Sequence, residues 1–294
     1  MPRLTGVGKA GVRTGSESTG GETKAHFEKI LPPVIGHRGA AGCAPENTLA
    51  GLRKAKELKC GWVEFDVRLT ADRHPILLHD ERFERTTNGR GRAALLSLAE
   101  IRCYDAGRRF ATVFRGERVP TLTEAITCLG EAALGANIEL KASRGREAET
   151  GAVAAALLCR LWPRHCPAPL ISSFLTEALA AARVCAPRIA RGLLFRAVPR
   201  NWRVLAEGLG CATLHVDHRR LRPRLVAEIR GSGYPLLAYT VNDPARARTL
   251  FDWGVTSVFS DVPHILSAAV ESAAHTRAEA SLKPAKPSRQ GAVW

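Results

Sequence analysis

Short apolar runs recur along this chain, separated by longer amphipathic stretches. The runs occupy 34–37, 62–68, 138–141, 170–174, 192–195, 213–217, 236–241 and 257–260. Between them, 48–58, 147–161, 176–184, 202–208, 223–230 and 244–253 have the spacing of helices with one apolar face. Strand and helix in alternation predict a parallel sheet, and eight repeats predict a closed (β/α)8 TIM barrel. A ninth run, 75–79, follows the second with no helix between them. A parallel connection needs a crossover, so this run reads as an antiparallel return strand. After it, about 81–120 is turn-rich with one weak helix at 98–102, and reads as a small insertion over one face of the barrel.

The ends of the chain read differently. Residues 1–30 are expected to form a flexible N-terminal tail and 274–294 a C-terminal one, where Lys283-Pro284 and Lys286-Pro287 break any helix. The barrel domain is expected over 31–273, long enough for a single α/β barrel. No apolar run approaches the length that spans a bilayer, so no stable membrane insertion is expected. The N-terminal stretch lacks the apolar segment of a secretory signal, which points to the cytoplasm.

Composition changes this picture little: 45% hydrophobic and 24% charged residues are ordinary for a globular protein. The net charge of +15 comes from arginine dispersed along the whole chain. A solvated basic surface is the simpler reading, and attraction to acidic lipid the sharper one. Basic runs interleaved with aromatics are missing, which argues against nucleic acid. The charge would also help draw in a phosphate-bearing small molecule. The eight cysteines form no Cys-x-x-Cys pair, so buried free thiols are expected rather than a zinc site.

Candidate chemistry gathers at strand ends. His37 and His79 close the first strand and the return strand. Either alone is more simply a structural histidine, but together, beside acids at neighbouring strand ends, they point to proton transfer. Side chains alternate on a strand, so Glu64 and Asp66 share a face, and Glu139 and Lys141 repeat the arrangement. Three inward carboxylates suit a hard divalent cation, Ca2+ or Mg2+. A salt-bridge layer neutralised by Arg38 and Lys141 is the alternative, and strand geometry leaves the two even. His215, Asp217 and His218 form a second cluster, read as structural or as the rim of a binding site. Glu46 and Asn47 open the first helix, where capping is the simpler reading and a structural role in holding the His37 loop the preferred one.

The ordered motifs resemble the glycerophosphodiester phosphodiesterase family. They are His37-Arg38-Gly39, Ala44-Pro45-Glu46-Asn47-Thr48, Glu64-Phe65-Asp66-Val67 with Thr70 and Asp72, His79-Asp80, and Arg85-Thr86-Thr87-Asn88-Gly89. Pro120-Thr121-Leu122, Ile138-Glu139-Leu140-Lys141, Ser172-Ser173-Phe174, Tyr239-Thr240-Val241-Asn242 and Ser260-Asp261-Val262-Pro263 continue the match to about residue 265. The resemblance implies that His37 and His79 are the general acid/base pair, that Glu64, Asp66 and Glu139 hold a divalent metal, and that Arg38 and Lys141 contact phosphate. It implies hydrolysis of glycerophosphodiesters to glycerol 3-phosphate and an alcohol, in the manner of the bacterial cytosolic branch. Oligomeric state stays open, a homo-oligomer included. Three positions depart from the family: Arg73-His74 at a turn that commonly holds glycine, Tyr239 where tryptophan is frequent, and Thr256-Ser257 near the last strand. Rival readings are a phosphodiesterase directed at lysophospholipids and a non-catalytic barrel that binds anions.

Overall fold

The structure, a computed structural model, describes residues 20–270. The chain opens with α1 (Gly20–Ile30) and β1 (Val34–Gly36), then α2 (Leu49–Glu57), β2 (Trp62–Leu69) and β3 (Pro75–Leu77). The insertion carries the short α3 (Leu98–Ile101) and gives way to α4 (Leu122–Ala132). The rest alternates: β4 (Gly135–Leu140), α5 (Glu147–Leu161), β5 (Leu170–Ser173), α6 (Thr176–Cys185), β6 (Ala190–Phe195) and α7 (Trp202–Gly208). It ends with β7 (Thr213–Asp217), α8 (Pro223–Gly231), β8 (Leu236–Tyr239), α9 (Pro244–Trp253) and β9 (Ser257–Ser260).

Eight of these strands form one closed parallel barrel in the order β1-β2-β4-β5-β6-β7-β8-β9, with β9 pairing back onto β1. The (β/α)8 expectation holds. β3 lies outside the closure, antiparallel on the upper end of β2 with Val67 opposite Leu77. Leu78 donates its backbone N–H to the carbonyl of Asp66, so the chain arrives at His79 beside Asp66.

Every residue of β2 is buried, because one face packs on helices and the other fills the barrel. Val63, Phe65 and Val67 join the apolar shell between strands and helices. Inside, the lower layer is apolar: Ile35, Trp62, Leu170, Leu237 and Phe259 meet Phe27 from α1. The polar inward residues are displaced to the C-terminal end of the strands, where active sites of this architecture gather.

Five local findings refine the sequence reading. Residues 20–30, placed in a flexible tail, form α1, and Phe27 (2% exposed) closes the lower end of the barrel against Trp62. One buried aromatic in a polar helix gives almost no periodic signal. Helix α4 was not among the expected helices. It starts with a capping box in which Thr121 accepts from the Glu124 N–H and Glu124 accepts from the Thr121 N–H. Helix α2 is capped by Thr48, which leaves Glu46 and Asn47 free for the loop-holding role expected of them. The turn at Arg73-His74 keeps a left-handed residue without glycine, since Arg73 has φ 67° and pairs with Glu149 at 2.6 Å. All eight cysteines are free, but Cys103, Cys159 and Cys185 are exposed rather than buried.

Candidate active site

The site is assembled at the tops of β1, β2 and β4. The loop after β1 turns sharply: Arg38 sits at φ 50° and Gly39 at φ 89°. A Cβ at Gly39 would lie 2.6 Å from the backbone of Gly51, so the position needs glycine. The turn aims two backbone N–H groups at β2. Arg38 N–H donates to Glu64 Oε2 at 2.9 Å, and Gly39 N–H donates to the Glu64 carbonyl at 3.0 Å.

The three predicted carboxylates come together. One ligand-capable oxygen from each of Glu64, Asp66 and Glu139 lies within 4.8 Å of the others, all in buried residues. Asp66 is well neutralised, with Arg38 Nε at 3.3 Å and Lys141 Nζ at 3.5 Å. Burial alone would raise its pKa, but these cations and His79 hold it down at about 2. Lys141 also lies 2.5 Å from Glu139 Oε1. Burial and the neighbouring acids nevertheless push Glu139 up, and Glu64 further, in the protein without a cation. Both alternatives of the sequence reading are thus present: a salt-bridge layer covers Asp66 and half of Glu139, yet three acids face two cations.

The excess falls on Glu64. Its Oε1 is buried without any hydrogen-bond donor, and the neighbouring Asn137 Oδ1 is equally unsatisfied. Buried oxygens without a donor are costly. An all-oxygen donor set with one orphaned carboxylate oxygen fits a hard divalent cation.

Each histidine is oriented by its own acid. His37 Nδ1 lies 2.7 Å from Asp261 Oδ1, and His79 Nδ1 lies 2.7 Å from Asp80 Oδ1. A carboxylate only accepts, so both Nδ1 atoms carry the proton and both Nε2 atoms are left for the cavity. His37 Nε2 stands 3.9 Å from Glu64 Oε2, which ties it to the carboxylate cluster. Burial lowers the pKa of His79, partly offset by Asp66. Asp80 is held at about 2, its own burial outweighed by hydrogen bonds from Arg85 and His79.

These groups line one cavity with about 620 Å³ of empty space, part of it open to solvent. His37, Arg38, Glu64, His79, Glu139 and Lys141 form one wall. Phe174 and Tyr239, edge to face with ring centroids 5.9 Å apart, line the cavity as well, together with Leu194 and Arg196, and Lys141 Nζ lies 5.4 Å from the Phe174 ring. The tyrosine hydroxyl donates to the Phe195 carbonyl at 2.9 Å, so the ring at this position is pinned to the neighbouring strands.

Glu46 and Asn47, read from the sequence as holding the His37 loop, do hold it, while the sequence reading gave no role to Asp80 or Asp261. Asn47 has φ 55°, donates to Asp66 Oδ2 at 2.9 Å and accepts from the Asp66 N–H at 3.0 Å. Glu46 binds Arg38 at 2.8 Å and also Arg85, which reaches in from the insertion. Asp261 comes from 224 residues away and is steadied by Asn242 at 2.7 Å. Asp80 was visible as the neighbour of His79. Asp261 had only its place in a motif after the last strand to mark it. The second cluster does not act as a unit: Asp217 is bonded by Arg219, and His215 is buried on Thr213 at 2.9 Å.

Comparison with known proteins finds relatives over most of the chain. The sequence profile of the glycerophosphoryl diester phosphodiesterase family matches residues 37–265. A glycerophosphodiester phosphodiesterase of Caldanaerobacter subterraneus is 33% identical over 234 residues, 79% of this chain and 95% of that protein. One from Bacillus subtilis is 31% identical over 258 residues, 81% of this chain and 85% of its own length. An Oleispira antarctica phosphodiesterase, solved with its product sn-glycerol 3-phosphate, superposes with TM-score 0.81 at 40% identity, covering 84% of this chain and 99% of that one.

Proposed function

The chain belongs to the glycerophosphoryl diester phosphodiesterase family, and from that premise we propose that it hydrolyses glycerophosphodiesters at the cavity of His37 and His79, releasing sn-glycerol 3-phosphate and an alcohol. Product bound to the Oleispira antarctica relative supports the substrate class. The observation that carries the reading is the pair of histidines, each with Nδ1 on a carboxylate and Nε2 toward one cavity that also holds three acids and two cations.

In this reading Arg38 and Lys141 neutralise the non-bridging phosphoryl oxygens, and their pairing with Asp66 and Glu139 keeps both fixed before substrate arrives. Glu64, Asp66 and Glu139 would hold the divalent cation. That cation, Ca2+ or Mg2+, supplies Lewis-acid stabilisation of phosphoryl charge. One imidazole Nε2 takes the proton of the nucleophile, and the other gives a proton to the leaving alkoxide. Asp261 and Asp80 stabilise whichever imidazolium forms. The nucleophile is water or the glycerol 2-hydroxyl, and only the second passes through a cyclic phosphate detectable by phosphorus NMR. The reaction belongs to glycerophospholipid breakdown, and we place it in the cytoplasm.

The test is an assay of released glycerol 3-phosphate from glycerophosphocholine and glycerophosphoethanolamine, with Ca2+, Mg2+ or EDTA. His37→Ala and His79→Ala should each lower kcat by about 10²- to 10⁴-fold with an unchanged melting temperature. Near-wild-type turnover by either variant, or full activity in EDTA, would refute the assignment.

A further inference from the structure

One cation of the cavity has no part in this chemistry. Arg196 follows directly on β6 and lines the same space as the carboxylate triad. Arg38 is engaged by Glu46 and Asp66, and Lys141 by Glu139 and Asp66. Arg196, by contrast, makes no hydrogen bond or ion pair among the described residues.

Its direction is built into the strand. Alternation puts Gly192, Leu194 and Arg196 on one side of β6. Leu194 lines the cavity, and a Cβ at Gly192 would lie 2.7 Å from the inward His215 Nε2, so that side is the interior. At the end of β6, the Phe195 carbonyl is held by the Tyr239 hydroxyl at 2.9 Å, which fixes where the Arg196 side chain leaves the backbone. Going round the barrel, β6 is the third strand after β2, with β4 and β5 between them. Arg196 therefore lines the cavity from the β6 side, three strands round from Glu64 and Asp66. An unpaired guanidinium at the rim of a site already holding its phosphate-binding cations presents donors to something not yet placed. Its planar fork suits a phosphomonoester or a carboxylate.

We propose that Arg196 forms a subsite for a second anionic group on the substrate, carried on the part of the molecule that reaches the β6 side of the cavity. This rests on the phosphodiesterase reading for its scissile group, but not for the geometry of the subsite. Substrates with a second phosphate or carboxylate then gain an interaction that choline or ethanolamine esters lack.

The matched probes are glycerophosphoglycerol and the same compound with a phosphate on its terminal hydroxyl. Wild-type protein should favour the phosphorylated form in kcat/KM, the difference lying in KM. Arg196→Ala should lower the ratio of the two kcat/KM values about tenfold, the effect of one partly screened charge contact. Arg196→Glu should lower it further, and Arg196→Lys should restore most of it. Calorimetric titration of both compounds into His79→Ala protein, with and without Arg196→Ala, should show the same tenfold change in the ratio of Kd values. Equal losses on both compounds, or an unchanged ratio, would overturn the subsite. If wild-type protein hydrolyses neither compound, the phosphodiesterase reading fails, and the titration still decides the subsite.

Discussion

Asn47 shows how much of this site depends on single side chains that do no chemistry. It occupies the left-handed region at φ 55°, where asparagine is tolerated better than most residues. From there its amide binds Asp66 twice, once at the carboxylate and once at the backbone. Asp66 is 1% exposed, so these bonds are made to a charge that water does not reach. Asn47→Ala removes both bonds and leaves a strained backbone, and should cost about 3 kcal/mol by urea denaturation. Asn47→Gly relieves only the strain and should recover about 1 kcal/mol of that. Wild-type stability in the glycine variant would show that the amide contributes nothing. The acids and histidines that meet at the cavity were legible because they stand out at the ends of apolar runs. Of the site's supports, Glu46 and Asn47 were read as holding the His37 loop, and the more distant ones were not legible. Asp261 meets His37 only after the barrel closes, and Arg196 is one exposed arginine in a chain that has arginine throughout.

The elements were legible for a related reason. Strands buried on both faces read as apolar runs, and eight of them stood out with an antiparallel ninth. What escaped was structure whose evidence is tertiary. Helix α1 has mostly polar positions, and its anchors act across the molecule: Phe27 packs on Trp62, and Glu28 pairs with Arg230 at 2.5 Å. The position of α1 at the lower end of the barrel, opposite the catalytic rim, separates stability from activity. Phe27→Ala should cost about 3–4 kcal/mol, the loss typical of a buried phenylalanine. At a temperature where the variant is still folded, kcat and KM should stay within twofold of wild type. A large change in KM without a change in melting temperature would place α1 in the function of the site instead. The insertion shows the opposite coupling. Arg85 bridges Asp80 and Glu46, so a segment outside the barrel holds both the partner of His79 and the partner of Arg38.

For the molecule as a whole, the polar residues inside the barrel set its response to acid. His215 is fully buried, with Nε2 on Thr213 and Nδ1 without a partner. Burial pushes its pKa down to about 3. A histidine depressed in the folded state stabilises the protein fully above its unfolded value near 6.5. That contribution is lost as pH falls from about 6.5 toward 3, because the unfolded chain takes up a proton that the folded one refuses. At pH 4.5 the loss is about 3 kcal/mol at one unit of pKa per 1.4 kcal/mol. The depressed acids Asp66 and Asp80, each at about 2, withdraw their support only at lower pH. Glu64 and Glu139 are raised and act in the other direction, gaining stability as they protonate. Comparing wild type with His215→Gln isolates the imidazole, since the acids titrate in both proteins. Urea midpoints at pH 7 and pH 4.5 should fall more for wild type than for the variant, by the equivalent of about 3 kcal/mol. Equal falls would mean that His215 is reached by solvent or is already protonated in the folded protein. A charged His215 would then line the cavity, and anionic substrates would gain a further attraction at acid pH.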